Sequence, residues 1–392
     1  DLVNFSGDTV VPAEERAPYR YPLSSSSVFA KASYAEDSIL GLMHSSYEAP
    51  TWGAEGANTA DYGVDAFWQQ RLTTLWFDQY WRPGGDLDYL FALDYGLGEV
   101  GPDSNYRNRF SDFNQVYKHQ RSERFQAAAD VRRRGRQHDW NMGVQLQHFN
   151  VIPRTTDLPR PYDRGQSASE QAMFFPGTDN SLPIRFYDIS YDNQALFGEL
   201  ISRWSGSFST QVGLRYEHSS LWGESLTPRL AFTWNFADHL SLKGIYGQAY
   251  KVPAPELSLG YFGSFSGQQN EDGDYTSGFF RITNEALEPE TSDSYELTLQ
   301  YQPSNRLLLS STAYYIVIDG VMRPTMTVPA VNDFISGGDI ATTEQVQNLN
   351  QLISYGLSNM LLYQWQPRAG WRWELWCSYD YSDGELRDPL FA

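Results

Sequence analysis

Over most of this chain every second residue is apolar or aromatic, and that period of two constrains the fold more than any other feature. Successive side chains of an extended strand point to opposite faces, so such alternation describes strands with one greasy face and one polar face. In 207–217, Phe208, Val212, Leu214 and Tyr216 share a face with Thr210, while Ser207, Ser209, Gln211, Gly213, Arg215 and Glu217 share the other. In 294–301, Tyr295, Leu297, Leu299 and Tyr301 alternate with Ser294, Glu296, Thr298 and Gln300. The pattern recurs in about fourteen segments, near 28–34, 37–46, 68–81, 86–97, 121–132, 138–149, 188–203, 207–217, 226–236, 239–250, 291–302, 306–318, 351–365 and 371–382. Most exceed ten residues. Strands of ordinary globular sheets average about five or six residues, whereas a tilted strand crossing a bilayer needs about nine to eleven.

The connections between these segments alternate in length. Short ones fall at 35–36, 82–85, 133–137, 204–206, 237–238, 303–305 and 367–370, and between them lie long ones at 47–67, 98–120, 150–187, 218–225, 251–290 and 319–350. Outer-membrane barrels are organised in this way, with turns on the periplasmic side and loops outside. Trp81, Trp140, Trp204, Trp234, Trp365, Trp371 and Trp373 all lie within a few residues of a short turn, where an interfacial aromatic belt belongs. Tyr95, Tyr216, Tyr250, Tyr315 and Tyr381 mark the far strand ends. The fold class expected is therefore all-β: an antiparallel transmembrane β-barrel with short periplasmic turns and long extracellular loops, embedded in outer-membrane lipid.

Composition narrows the alternatives. No stretch approaches the roughly 18 consecutive apolar residues of a membrane helix, and the mean hydropathy is -0.51. A lone Cys377 excludes an internal disulfide framework and a multi-thiolate metal site. The formal net charge of -19 argues against nucleic acid as a partner, since only Arg132, Arg133, Arg134 and Arg136 cluster. The first residues carry no basic segment followed by an apolar one. The acids Asp86, Asp88, Asp94, Glu296 and Asp380 read as polar residues of a wet lumen, and no Ser, His and Asp constellation or Gly-rich phosphate loop points to an enzyme.

Two segments carry a family resemblance: 246–257 (YGQAYKVPAPEL) and 284–301 (NEALEPETSDSYELTLQY). Together they resemble the barrel domain of TonB-dependent outer-membrane receptors. In that family a strand ending in an aromatic, a basic residue and Pro, matched by Tyr250, Lys251 and Pro253, precedes an outer loop. The next strand is entered through an N-x-x-L-x-P-E pattern, matched by Asn284, Leu287, Pro289 and Glu290, and carries an inward Glu, matched by Glu296. The resemblance is strongest over 188–320. It implies a barrel of about twenty-two strands, of which about fourteen are present in 1–392. Neither the family's N-terminal plug nor its TonB-contacting box is found. With short turns at these positions both chain ends lie on the long-loop side, so an odd number of further strands is expected at each end, and 1–27 reads as the tail of an outer loop.

The family implies active import of a scarce small molecule, most often a ferric siderophore, sometimes haem, cobalamin or a glycan. The partners implied are the inner-membrane TonB complex and that ligand, with no cofactor, in the outer membrane of a Gram-negative bacterium. Candidate ligand contacts are the loop residues Tyr261, Phe262, Phe265, Gln268, Gln269, Tyr275 and Arg281, which offer stacking faces beside hydrogen-bonding groups. Arg154, Arg160, Arg164 and Arg185 are candidates to attract an anionic ferric chelate, with Asp157, Asp163 and Asp188 as competing partners. The six histidines lack a paired metal-ligand spacing, and Asn270-Glu271-Asp272-Gly273-Asp274 has oxygens for Ca²⁺ without the rest of an EF-hand loop. Two competing readings are a passive pore or ligand-capturing surface barrel, and a soluble β-rich carbohydrate-active enzyme.

Overall fold

The computed structural model describes residues 1–3, 7–15, 23–35, 37–50, 66–108, 114–155, 157–171, 188–260, 262–263, 268–327, 337–368 and 370–387. Fourteen long strands follow one another around a single wall: β1 Ser24–Tyr34, β2 Ser38–Pro50, β3 Phe67–Trp81, β4 Leu87–Val100, β5 Gln120–Arg133, β6 His138–Ile152, β7 Ile189–Arg203, β8 Phe208–Ser219, β9 Gly223–Ala237, β10 Leu240–Lys251, β11 Glu290–Ser304, β12 Leu307–Thr327, β13 Thr343–Arg368 and β14 Trp371–Arg387. Each pairs antiparallel with its sequence neighbours. These are the fourteen segments that the alternation marks. Among the described residues the wall stays open, with β1 and β14 each paired on one side only and exposed along almost all of their length.

The two faces separate as the sequence requires. One row of residues paired in register, Leu87, Arg133, Trp140, Leu200, Val212, Leu230, Tyr246, Tyr295, Tyr315, Tyr355 and Asp383, crosses eleven strands on the greasy face. Leu200, Val212, Leu230 and Tyr295 in it are 41–49% exposed, a bare apolar surface that only hydrocarbon covers at low cost. The row starts at the first residue of β4 and ends twelve residues into β14. A climb of roughly 1.2 residues per strand, at about 3.3 Å rise and 4.8 Å spacing, corresponds to a strand tilt of roughly 40°, as in transmembrane barrels.

The opposite face is a polar network. Arg124 binds Asp94 at 2.6 Å, Gln126 accepts from Gln145 and Gln147 at 2.9 and 2.7 Å, and Arg215 bridges Gln145 and Glu217. Aromatic rings on this face lie flat over glycines: a Cβ on Gly41 would fall 2.0 Å from Trp76, so only glycine admits that ring. Among the tryptophans beside short turns, Trp81, Trp204, Trp234, Trp365, Trp371 and Trp373 are 47–64% exposed, as a belt demands. Tyr216, Tyr315 and Tyr381 lie on the greasy face near its far border, but Tyr250 is partly buried and its Oη has no hydrogen-bond partner among the described residues.

Two connections depart from expectation. The segment 218–225 is mostly strand, because Ser219 and Gly223 pair across a turn of three residues and Gly223 takes the positive φ (+78°) the turn demands. Much of 319–350 is an extension of β12 and β13, paired from Val321 and Leu349 to Thr327 and Thr343. Val321, Val346 and Leu349 are buried there beneath the chain of 252–289, so tertiary cover sustains a hairpin that lacks simple alternation. Near the N-terminus Leu2–Val3 pairs with Thr9–Val11, and the wall begins at Ser24.

Candidate functional site

At the long-loop end the connections fold into two clusters with cores of their own. The first combines 101–119 with 153–171. Asn105–Asn108 and Asn114–Tyr117 form a hairpin, and Tyr117 bridges to Leu158. Val116, Leu158, Tyr106 and Tyr162 pack inside. At its centre Lys118 Nζ sits 2.9 Å from Asp157 Oδ1 with both side chains at most 3% exposed, and Tyr106 Oη donates to the same oxygen at 2.7 Å. Burial pulls the Lys118 ammonium below the usual lysine range against the pull of Asp157, and pushes the Tyr106 phenol well up, helped by that carboxylate. His119 donates from Nδ1 to Val100 O at 2.8 Å and lies 4.3 Å from the Tyr162 ring; burial lowers its pKa.

The second cluster lays the described residues of 252–289 against the β12–β13 extension. Phe280–Ile282 pairs parallel with the start of β13, Phe262–Gly263 pairs with Phe280 and Arg281, and Tyr275–Ser277 pairs parallel with Gly338–Ile340. Phe280 is fully buried and Leu287 nearly so. Amides finish the seam: Asn284 Nδ2 donates to Val346 O at 2.8 Å, Asn348 Nδ2 donates to Glu288 O and Gly320 O, and Gln345 Nε2 donates to Thr283 O.

The family-motif residues fall at this seam and on the wall beside it. Asn284 Oδ1 accepts from Ala286 N, turning the chain toward buried Leu287. Glu290 accepts from Lys251 Nζ at 2.9 Å and from Met322 N at 2.7 Å, joining β10, β11 and β12. Pro253 is buried after β10 and Pro289 is half-buried just before β11. Glu296 is exposed on the polar face of β11. The motif thus fastens the outer rim.

The candidate ligand contacts are scattered. Tyr261, Phe265 and Arg185 lie outside the described residues, as does the side chain of Phe262. Gln268 and Gln269 are exposed and Tyr275 half-buried beside the acidic turn 270–274. Three of the candidate arginines are engaged by carboxylates: Arg154 by Glu256, Arg164 by Glu99 and Arg281 by Glu344. These partners are not the expected ones, because Asp157 is taken by Lys118 and Asp163 Oδ1 accepts from Gly165 N. Arg160 is exposed. In the turn, Asn270 Oδ1 accepts from Asp272 N and Asp274 N, and Gly273 has φ +88°, so backbone geometry accounts for its residues. Sequence reasoning missed Tyr106, Lys118, Asn348 and the Glu256 end of the Arg154 pair, whose partners are distant in sequence. Arg154 and Glu256 link the two clusters.

Comparison with known proteins agrees with this architecture. The family model "TonB dependent receptor-like, beta-barrel" matches residues 16–390. The iron-regulated outer membrane virulence proteins of two Vibrio cholerae strains are 26% and 27% identical over 187 and 188 residues, 47% of this chain and 26% of their own length. Among solved structures, a mutant of the ferric enterobactin receptor of Pseudomonas aeruginosa superposes with TM-score 0.62 at 15% identity, covering 94% of this chain and 53% of that one. The siderophore receptor PirA of Acinetobacter baumannii gives 0.58 at 14%, covering 96% and 55%. The copper transporter OprC gives 0.58 at 15%, covering 98% and 55%. The chain spans about half the length of these structures. The chain belongs to the TonB-dependent receptor family, whose members are receptors rather than enzymes, and it supplies strands of that family's β-barrel.

Proposed function

We propose that this chain is part of an outer-membrane receptor that captures a small ligand at its loop canopy and imports it with energy from the TonB complex. The ligand class proposed is a ferric siderophore. The observation that carries the reading is the two-faced wall, greasy toward lipid and polar toward a lumen, roofed at one end only by folded loops. Siderophore receptors share its fold, and the matched Vibrio proteins are named for iron regulation. In this reading Arg160, Gln268, Gln269 and Tyr275, with Tyr261, Phe262 and Phe265, contact the ligand. Arg154, Arg164 and Arg281 are neutralised by their carboxylates and shape the loops instead.

The test is uptake of radiolabelled iron, as ferric siderophores, by iron-starved cells with and without the gene, and with and without functional TonB. Gene-dependent uptake that vanishes without TonB is expected. Uptake that survives loss of TonB would make the barrel a passive pore, and gene-independent uptake of every chelate offered would overturn the ligand class.

A further inference from the structure

The densest run of basic residues in this acidic chain, four of its 29 Lys and Arg, lies at the short turn between β5 and β6. The long connections 51–66, 101–119, 153–188, 220–222, 252–289 and 328–342 hold 8 basic against 18 acidic residues, whereas 132–137 holds four arginines and no carboxylate. Arg133 lies on the lipid face: it pairs in register with Leu87 and Trp140, in the row that continues to exposed Leu200. Its ion partner among the described residues, Asp86, is 4.0 Å away, and both side chains are more than half exposed. Arg134 reaches Asp88 at 3.4 Å. The remaining nearby carboxylate, Asp139, is held by Arg203 at 2.6 Å and by Gly135 N and also feels the charge of Arg132, so it is shared between the turn and β7. Arg132 and Arg136 make no ion pair among the described residues.

Aromatic rings frame this charge at the edge of the apolar band. Trp204, 64% exposed, meets His138 edge-on at 6.0 Å, and Trp81 packs on Tyr89 at 4.9 Å. Such rings settle where hydrocarbon meets headgroups, and an arginine on the same face extends its guanidinium into that layer. The fork of a guanidinium matches a phosphate diester with two parallel hydrogen bonds.

We propose that the β5–β6 turn, through Arg133 and Arg136 with Trp140 and Trp204 beside them, binds the headgroup of an anionic glycerophospholipid in the leaflet at the short-turn end. Charge complementarity selects this occupant: four arginines outnumber the carboxylates that reach them at the edge of a lipid-facing surface, and that leaflet supplies phosphate on an acyl anchor. The inference rests on the membrane reading proposed above.

The test uses protein extracted from outer membranes, delipidated in a zwitterionic detergent and titrated with phosphatidylglycerol or phosphatidylcholine under native mass spectrometry. Retention of phosphatidylglycerol over phosphatidylcholine is expected. Arg133→Gln and Arg136→Gln should each weaken that preference about fivefold while phosphatidylcholine adducts stay unchanged. Arg306→Gln, at another short turn, should leave it intact. Equal retention of both lipids, a preference untouched by both variants, or equal competition by soluble glycerol phosphate overturns the site while the barrel stands. A stronger preference for lipopolysaccharide, lost in the same variants, overturns the leaflet assignment. Absence of the protein from outer membranes overturns the membrane reading itself.

Discussion

The cores of the two loop clusters are closed by different means. The first is closed by charge: one ammonium, one carboxylate and one phenol buried together. The second is closed by backbone, with parallel strand pairs and a row of side-chain amides completing what the strands leave open. A buried ion pair is expensive to form and expensive to break, whereas amide bonds contribute about 1 kcal/mol each and fail one at a time. The first cluster should therefore open as a unit and the second should fray.

The largest effect that tests this contrast comes from Lys118→Met. It strands Asp157 in the first cluster, and breaking such a pair costs about 3–5 kcal/mol. Hydrogen exchange at 116–119 and 155–158 should accelerate together, with 280–289 and 343–348 unmoved. The triple change Lys118→Met, Asp157→Leu and Tyr106→Phe removes the ammonium, the carboxylate and the phenol together and should recover most of the loss, since apolar replacements of buried pairs are often neutral or better. Independent opening of 116–119 and 155–158 would break the contrast. Next in size is Asn284→Ala, which removes the bonds to Val346 O and Ala286 N. A cost of about 1–3 kcal/mol is expected, read as faster exchange confined to 284–289.

Acid should separate the clusters too. Burial lowers the pKa of His119 from its ordinary 6.5, so the neutral ring is the form the first cluster holds. As pH falls below 6.5, the opened state takes up a proton that the closed state refuses, and stability of the closed cluster declines toward the depressed pKa; above 6.5 it is flat. Protection at 116–119, taken relative to the intrinsic amide exchange rate at each pH, should therefore fall on going from about pH 7 to 5, and His119→Gln should abolish that trend. The second cluster, whose segments 252–289 and 319–350 contain no histidine, should not follow it.

How much of this was legible before the structure follows from what each region is made of. The wall was legible because lipid and lumen each act on every second residue, so Tyr295, Leu297, Leu299 and Tyr301 declare their face within one short stretch of sequence. The rim motif was legible as a resemblance, although its work emerged only when Glu290 was seen to hold both Lys251 and Met322 N. The clusters were opaque. Lys118 and Asp157, 39 positions apart, leave no period or spacing to read, and the arginines Arg154, Arg164 and Arg281 looked like ligand contacts because the glutamates that claim them lie 63–102 positions away. A charged residue in a long loop is ambiguous until its partner is placed.

Arg154 and Glu256 sharpen the comparison most finely, because they join the two clusters without belonging to the core of either. Both side chains are about one-third exposed, so solvent screens the pair and Arg154→Gln should cost no more than about 1 kcal/mol. Neither cluster needs this bond to fold, and exchange within each should stay as it was. What should change is the separation between them: spin labels at exposed Arg160 and Gln268 should report a broader distance distribution in the variant than in the parent. If instead the distribution is unchanged, the clusters are held by the wall alone and the canopy is two roofs rather than one.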